Sequence, residues 1–147
     1  DDVVLDAYCG IGTIALSLAK YVKKVYGVEI VDTAINDARN NAKLNKIENV
    51  EFKCDDAGKY MIELVNNNIH LDVVFVDPPR KGCSKEFLDY LIQAKPSKII
   101  YISCDVATQA RDIKYLQEFN YQVDMCQPVD MFPHTTHIEN IVRLKYK

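Results

Sequence analysis

The sequence has few of the residues that build disulfide-bonded domains and metal centres. It contains five cysteines among 147 residues, an odd number, and no two of them are spaced as Cys-x-x-Cys. This excludes a disulfide framework and a zinc ribbon. Only three histidines are present, which is too few for a metal site made of clustered imidazoles. We therefore expect free thiols, a reducing compartment such as the cytoplasm, and no metal ion in this chain.

Long hydrophobic runs and an excess of basic residues are also absent. The longest mainly apolar runs, such as residues 71–76, are far shorter than the roughly 20 residues that span a bilayer, and no basic-then-apolar leader precedes them. The formal net charge is −3 and the pI is about 5.6, which argues against a large basic surface for nucleic acid in this chain. We expect no membrane contact, and no protein partner is implied.

What is present is a regular alternation of short apolar runs and longer stretches with helical periodicity. Strands are predicted at residues 3–8, 25–30, 50–54, 71–77, 98–103, 122–129 and 137–146, and helices at 13–20, 33–44, 57–65, 85–93 and 107–119. Such βα units form a mostly parallel sheet. The last two strands have no helix between them and are expected to pair as an antiparallel hairpin. Asp32 is predicted to cap the second helix, and Pro96 to end the fourth.

The turn after the first strand has the composition of a cofactor site. Residues 6–15 read DAYCGIGTIA, and Glu29 closes the next strand. Gly10 and Gly12 would let a ligand approach the backbone, and an acid at the position of Glu29 can accept hydrogen bonds from both hydroxyls of a ribose. A ribose-bearing cofactor fits both features. The same glycine spacing also occurs in dinucleotide sites, and many βα turns use glycine only for backbone geometry.

Asp6 distinguishes between two cofactors. The pattern Asp-x-Tyr-Cys-Gly-x-Gly resembles motif I of S-adenosylmethionine-dependent methyltransferases, in which the acid before the turn faces the amino-acid end of the cofactor. A dinucleotide site normally has an apolar strand there, because a carboxylate repels pyrophosphate. Asp56 follows the third strand, where that family often places a side chain on the adenine amino group. Alternatively, Asp55 and Asp56 belong to a solvated loop.

A second motif follows the fourth strand, where residues 77–82 read DPPRKG. The two prolines stiffen the backbone and present Asp77 at the carboxyl edge of the sheet, where ligands of α/β proteins bind. Asp-Pro-Pro followed by Tyr or Phe is typical of enzymes that methylate an exocyclic amine, whereas Arg80 at this position resembles the RNA uracil-C5 methyltransferases. Carbon 5 of uracil is a poor nucleophile, so such chemistry needs a thiolate that adds to carbon 6 and a base that removes the carbon 5 proton.

The fifth strand ends in a candidate for that thiolate. Residues 101–112 read YISCDVATQARD and resemble the family motif SCNPxTxxRD, in which the cysteine is the nucleophile. Cys104 lies at the loop-to-helix junction before the helix predicted at residues 107–119, and the positive end of a helix favours a thiolate. Asp105 and Val106 stand where the family has Asn and Pro. An isolated cysteine at the end of a buried strand would be only a small apolar residue, so this assignment depends on the motif.

The segment before the last strand contains a candidate for the base. Residues 129–139 read VDMFPHTTHIE and resemble the family's second signature, in which the glutamate removes the carbon 5 proton. In the class I methyltransferase topology the last strand runs antiparallel beside the fifth, so Glu139 would lie at the same edge as the other candidate residues. His134 and His137 are interpreted as hydrogen-bonding residues that shape the loop.

These motifs together identify the chain as resembling the RNA (uracil-5-)-methyltransferase family along its whole length. The resemblance implies an α/β, Rossmann-like class I fold with a mostly parallel seven-stranded sheet, helices on both faces and a C-terminal antiparallel hairpin. It implies S-adenosylmethionine as cofactor and S-adenosylhomocysteine as product. The residues carried over as cofactor contacts are Asp6, Tyr8, Gly10, Gly12, Glu29, Asp56 and Asp77, and the catalytic residues are Cys104 and Glu139.

The resemblance also implies the substrate. We expect methyl transfer to carbon 5 of a specific uridine in RNA, with ribosomal RNA favoured over transfer RNA, through a covalent cysteine–uracil adduct. The base must leave its stack to react, with phosphate contacts expected from Arg80, Lys81, Arg111 and Lys114. Alternatively, these four cations are ordinary solvated surface. The chain starts at Asp1, almost inside a strand, so residues 1–147 are expected to be a catalytic domain cut from a longer protein whose RNA-binding region precedes it.

Two other functions stay open on the sequence. One is an amine methyltransferase acting on guanine or adenine in RNA, in which Cys104 would be incidental. The other is a noncatalytic module that binds S-adenosylmethionine or NAD and keeps only the fold.

Overall fold

A computed structural model describes residues 1–131 and 133–147, and Phe132 of the second signature lies outside them. Strands and helices alternate as predicted. The strands are β1 (Val3–Ala7), β2 (Lys24–Glu29), β3 (Val50–Cys54), β4 (Val73–Val76), β5 (Lys98–Ser103), β6 (Tyr121–Val129) and β7 (Glu139–Tyr146). The helices are α1 (Thr13–Leu18), α2 (Asp32–Leu44), α3 (Ala57–Asn66), α4 (Lys85–Ala94) and α5 (Val106–Gln117), and a 3-10 turn, Ala19–Tyr21, follows α1.

The strands form one sheet in the order β3-β2-β1-β4-β5-β7-β6. The first five strands along the chain run parallel, and β7 runs antiparallel to both β5 and β6. This confirms the predicted terminal hairpin and the predicted place of the last strand. Ser103, at the end of β5, lies opposite Asn140, near the start of β7. The beginning of the last strand therefore lies at the carboxyl edge of the parallel strands.

Both faces of the sheet are covered, because its strands are apolar on both sides. Neighbouring residues of β1 show the division. Leu5 packs into a cluster with residues of α3, α4 and α5, whereas Val4 packs into a second cluster with residues of α1 and α2. Leu5 is fully buried, and burial of such a side chain contributes roughly 2 kcal/mol to stability. Two layers of helices therefore hold the carboxyl edge of the sheet in place.

The helix ends correct one prediction and confirm another. Asp32 does not cap α2, because the helix begins at Asp32 itself and Val31 is the N-cap residue. The Asp32 carboxylate instead accepts a hydrogen bond from the Asn36 side chain one turn later, at 3.1 Å. α4 ends at Ala94, two residues before Pro96. This end is expected, because proline disfavours helical backbone at the residue before it.

All five cysteines are free thiols. In the part of the chain that the structure describes, no helix combines the length and the apolar character needed to cross a membrane.

Candidate active site

The turn between β1 and α1 depends on two glycines with left-handed backbone, Gly10 with φ 52° and Gly12 with φ 86°. They serve different purposes. A Cβ atom on Gly12 would lie 2.8 Å from the ring of Phe52 and 3.2 Å from the Cβ of Ala38, whereas one on Gly10 would meet nothing within 4 Å. Gly12 is therefore required by packing as well as by φ. Gly10 leaves an open stretch of backbone that a ligand can approach.

Glu29 ends β2 beside this turn and is held by backbone amides. Its carboxylate accepts hydrogen bonds from the N–H groups of Gly10 at 3.3 Å, Ile30 at 2.8 Å and Val31 at 3.1 Å. A carboxylate has about four acceptor sites and three are used here, so Glu29 keeps about one site for a ligand hydroxyl group. The amides fix the orientation of the group before any ligand arrives.

Asp6 lies under the same turn and is only 1% exposed. One carboxylate oxygen accepts a hydrogen bond from the N–H of Ala15 at 2.9 Å. The other, Oδ1, is buried and has no hydrogen-bond partner among the described residues. Burial, with a smaller contribution from the charge of Asp77, raises the pKa of Asp6 to about 7, against the bond from Ala15. An orphaned carboxylate oxygen under a ligand-binding turn is a group that a cationic ligand would satisfy.

A cavity of about 580 Å³ opens at the carboxyl edge of the sheet. It brings together three of the predicted cofactor residues, Tyr8, Glu29 and Asp77, from the ends of three different strands. The rest of its lining comes from Ile30 and Val31 after β2 and from the loop after β4. Its walls therefore combine fixed carboxylates with apolar side chains, as ligand sites usually do.

Asp56 is not among the residues that line this cavity. It is the N-cap residue of α3, and its carboxylate accepts a hydrogen bond from the N–H of Lys59 at 3.0 Å. A capping carboxylate satisfies one of the free amides of the first helical turn. The structure thus gives Asp56 a structural role, and its contact with a cofactor stays a prediction.

The predicted catalytic residues lie at the ends of β5 and β7. Ser103, the last residue of β5, pairs with Asn140 of β7, so Cys104, which follows Ser103, and Glu139, which precedes Asn140, both lie at this edge of the sheet. Both are partly buried, and neither lines the cavity. Burial first, and then the charge of Glu139, raise the pKa of Asp77. Asp77 is therefore the link between the cavity and the catalytic candidates.

The turn that carries Cys104 is fixed on both sides. Ser103 Oγ accepts a hydrogen bond from the N–H of Asp105 at 3.0 Å and donates one to its carbonyl oxygen at 3.1 Å. The Asp105 carboxylate then caps α5 by accepting bonds from the N–H groups of Ala107 at 3.1 Å and Thr108 at 2.9 Å. These bonds lower the pKa of Asp105, the bond from Thr108 most of all. Cys104 is thus anchored by its own neighbours.

The loop after β4 is fastened to α5 by a buried carboxylate. Asp112 is 1% exposed and accepts hydrogen bonds from the N–H of Cys83 at 2.8 Å, the hydroxyl of Tyr101 at 2.7 Å and Arg111 Nε at 2.8 Å. Arg111 Nη2 also donates to the carbonyl oxygens of Lys81 and Cys83. The guanidinium of Arg111 therefore already binds protein groups, with which an RNA phosphate would have to compete. Its contact with RNA stays a prediction.

Arg80 links the same loop to the segment before β7. Its guanidinium Nη2 lies 3.3 Å from Nδ1 of His137, and its carbonyl oxygen accepts a hydrogen bond from Thr108 Oγ1 at 2.9 Å. Lys81 is exposed at the rim of the cavity. Within residues 1–131 and 133–147, no group of three or more His, Cys, Asp or Glu side chains is placed to hold a metal ion.

The family model of the tRNA (uracil-5-)-methyltransferases matches residues 1–147. This chain belongs to that family. Uncharacterized RNA methyltransferases of Oceanobacillus iheyensis and Listeria innocua are 49% and 51% identical to it over 147 residues. The chain spans 32% of the length of each of these curated relatives.

Solved structures show the same fold. The tRNA (uracil-54, C5)-methyltransferase of Pyrococcus abyssi, in complex with S-adenosyl-L-homocysteine, matches with a TM-score of 0.86 and 35% identity, covering 98% of this chain and 34% of that one. A rRNA methylase from Streptococcus thermophilus matches with a TM-score of 0.77 and 15% identity, covering 99% of this chain and 87% of that one. The predicted class I methyltransferase fold is confirmed.

Some polar residues near the site escaped the sequence analysis. The buried face of α5 carries Gln109 and Asp112 together with Leu116, although a helix of this period should bury apolar residues there. Polar side chains at core-facing positions are the signal that could have found them, because buried polar groups need partners. Asp105, which stands where the family motif has Asn, caps α5. The replacement keeps this role, because Asp and Asn cap helices equally well.

Proposed function

We propose that this chain is a catalytic domain that transfers a methyl group from S-adenosylmethionine to carbon 5 of a uridine in RNA, giving 5-methyluridine. One observation carries the proposal. The antiparallel register of β5 and β7 pairs Ser103 with Asn140, which supports a pairing of the next residues, Cys104 and Glu139, at the edge of the sheet where the cavity opens. A thiol next to a carboxylate supplies the nucleophile and the base that uracil C5 chemistry requires.

The residues around the cavity fit S-adenosylmethionine. Glu29 is fixed by amides and can accept a bond from a ribose hydroxyl. The orphaned oxygen of Asp6 and the carboxylate of Asp77 suit the cationic amino-acid end, and Gly10 leaves the backbone open. When bound there, S-adenosylmethionine supplies a methyl group that is electrophilic because it is attached to a sulfonium. The S-adenosyl-L-homocysteine in the P. abyssi relative supports this choice.

The chain's own residues then act in a fixed order. The Cys104 thiolate adds to carbon 6 of uracil, which forms a carbon–sulfur bond and moves the ring electrons to carbon 5 and the carbonyl oxygen at carbon 4. Once carbon 5 carries the methyl group, the Glu139 carboxylate takes the proton from that carbon. The electrons restore the double bond between carbons 5 and 6, the carbon–sulfur bond breaks, and the thiolate is released. The net change replaces one hydrogen by a methyl group.

The RNA substrate is a property of the complete protein, since this chain is about a third of its relatives' length. Ribosomal RNA is the substrate that we favour. Transfer RNA is the alternative, because the P. abyssi relative is named as a tRNA methyltransferase. Lys81 lies at the rim of the cavity and suits a phosphate contact better than Arg111, which binds Asp112, or Arg80, which contacts His137. We assign the protein to the cytoplasm, where its free thiols would stay reduced.

The test follows the carbon 5 proton. The complete protein is incubated with ribosomal or transfer RNA carrying tritium at uridine carbon 5, and the tritium released to water is measured. Wild type should release tritium from one of the two RNAs. Cys104→Ala should lose release by at least about 1,000-fold, and Glu139→Gln should accumulate a covalent RNA adduct. Cys54→Ser, at an exposed thiol, serves as the matched control and should react normally.

Two outcomes contradict the proposal. Tritium release that survives the loss of Cys104 would exclude the covalent mechanism. Methylation of a purine amine without tritium release would support the amine methyltransferase instead.

A further inference from the structure

Two side-chain amides are buried beneath the ends of the strands that carry Cys104 and Glu139. Gln109 is 1% exposed and Asn140 is 9% exposed. Gln109 Nε2 donates one hydrogen bond to the carbonyl oxygen of Tyr101 at 3.0 Å and another to that of Asn140 at 3.0 Å. Asn140 Nδ2 donates to Gln109 Oε1 at 2.7 Å. One residue of α5 therefore bridges β5 and β7 directly.

The bridge has its hydrogen bonds satisfied. Both protons of the Gln109 amide and its oxygen are used, and Asn140 Oδ1 accepts a bond from the thiol of Cys126 at 3.4 Å. A buried polar network of this kind holds one geometry, because any shift leaves a group without a partner in a medium of low dielectric constant. The distance between the two strands is thereby fixed at this level of the sheet.

The place of the bridge matters for the reaction. Tyr101 lies in β5, three residues before Cys104, and Asn140 directly follows Glu139 in β7. We propose that the Gln109–Asn140 amide pair is a positioning device that sets the separation between the Cys104 thiol and the Glu139 carboxylate. This inference rests on the proposed function, in which those two groups act in turn on one uracil ring.

The two catalytic groups depend on the bridge to different degrees. The turn of Cys104 is held by Ser103 and Asp105 without help from Gln109. Glu139 is the first residue of β7 and pairs with Val129 of β6, so on the side of β5 and α5 it is held through the bond from Gln109 to the carbonyl oxygen of the neighbouring Asn140. Loss of the bridge should therefore displace the base more than the nucleophile. A displacement of about 1 Å can cost roughly 100-fold in the step concerned, and here that step is proton removal.

The experiment compares two quantities for the complete protein during turnover on RNA tritiated at uridine carbon 5. One is the covalent protein–RNA adduct seen on a denaturing gel, and the other is the tritium released. Gln109→Met keeps the length of the side chain but donates no hydrogen bond. Asn140→Ser removes the amide-to-amide bond and the bond from the Cys126 thiol but keeps the backbone carbonyl that Gln109 binds. Gln117→Met, at an exposed glutamine on the same helix, is the control. The amount of folded enzyme is measured as the number of sites that bind S-adenosylhomocysteine. The ratio of adduct to released tritium, each taken per site, therefore does not depend on the fraction of the protein that is folded.

We expect the ratio of adduct to released tritium to rise about 10-fold or more in Gln109→Met, less in Asn140→Ser, and not at all in Gln117→Met. If Gln109→Met does not fold, the ratio of adduct to released tritium in Asn140→Ser tests the inference, and it should rise above the wild-type value. Activity that falls while the ratio stays at the wild-type value would show that the amide pair is only structural and would overturn the inference alone. Wild type that releases no tritium from either RNA would overturn the proposed function and the inference with it.

Discussion

Two aspartates in this protein are equally buried and yet differently bonded. Asp6 and Asp112 are each 1% exposed. Asp112 receives hydrogen bonds from a backbone amide, a tyrosine hydroxyl and a guanidinium, whereas Asp6 receives one, from Ala15, and its second oxygen has no partner among the described residues. A fully bonded buried carboxylate acts as a structural joint. A partly bonded one keeps an oxygen that a ligand can bind, which is the role we propose for Asp6.

The contrast extends to the two ends of the site. At the cofactor end, carboxylates are held by backbone amides close by in the sequence, as with Asp6 and Ala15 or Glu29 and Ile30. At the reaction end, side chains from distant segments hold one another, as Gln109 does with Asn140. The first arrangement leaves hydrogen-bond acceptors free for a ligand. The second uses the donors and acceptors of the side chains to hold the protein elements together.

Removing the Asp112 carboxylate should give the largest effect on stability. Asp112→Ala leaves the Tyr101 hydroxyl and the Cys83 amide without their partner and Arg111 without its counter-charge. Each buried donor left without a partner costs about 1–3 kcal/mol, whereas the Arg111 side chain is 58% exposed and stays solvated, so the urea midpoint should fall steeply because of the two buried donors. Asp124→Ala removes an ion pair with Arg143 at the surface, and its midpoint should move far less. Equal losses in the two variants would show that Asp112 is not a joint.

The pH dependence of stability should identify Asp6. Its pKa rises from the ordinary 3.8 to about 7 on folding, so the folded state binds more protons between these values. The stabilisation is complete below pH 4 and is lost as the pH rises through 7, by up to about 1.4 kcal/mol per pH unit. Urea unfolding at pH 5, 6, 7 and 8 should show this decline in wild type and a flatter curve in Asp6→Asn. Parallel curves would mean that Asp6 does not titrate in this range.

The two glycines of the turn should separate packing from ligand approach. Gly12→Ala combines left-handed backbone with a contact at 2.8 Å to Phe52 and should cost about 2 kcal/mol of stability. Gly10→Ala meets open space and should cost about 1 kcal/mol for its backbone alone, but it should weaken binding of S-adenosylhomocysteine more than its loss of stability suggests. Thermal unfolding and calorimetric titration of both variants make the comparison, and the reverse order would contradict it.

Asp6→Asn should weaken S-adenosylhomocysteine binding by about 10-fold, because the cationic amino group of that ligand loses its charged partner. This is the smallest of the four effects. Asp37→Asn removes a charge from an exposed position on α2 and should bind the ligand as wild type does. An unchanged affinity in Asp6→Asn would mean that the free oxygen serves no ligand.

The elements and the site motifs could be predicted because each is written in contiguous residues. The turn of residues 6–15 and the segment of residues 101–112 each bring their chemistry within one strand and the following turn. The class I topology that the motifs imply puts the last strand antiparallel beside the fifth, and β7 lies antiparallel beside β5.

What could not be predicted depends on partners that are far apart in the sequence. Nothing local to Gln109 indicates Asn140, and nothing local to Asp112 indicates Tyr101, because hydrogen bonds between packed elements leave no spacing to recognise. Arg111 was assigned to phosphate for the same reason, since its guanidinium shows no sign in the sequence of being bound to carbonyl groups. Asp56 likewise shows its capping bond only in the fold.

The position of β7 between β5 and β6 has a consequence for the order in which the parts of the site are synthesised. β7 follows every other described element along the chain, yet it lies between β5 and β6 in the sheet. The ribosome therefore releases Cys104 and the walls of the cavity before it releases Glu139. In the sheet β6 is bonded only to β7, so β6 joins the sheet only through β7, and β5 has an unpaired edge until β7 pairs with it. Under the proposed function, the pairing of β7 with β5 also brings the base to the edge of the sheet that carries the nucleophile.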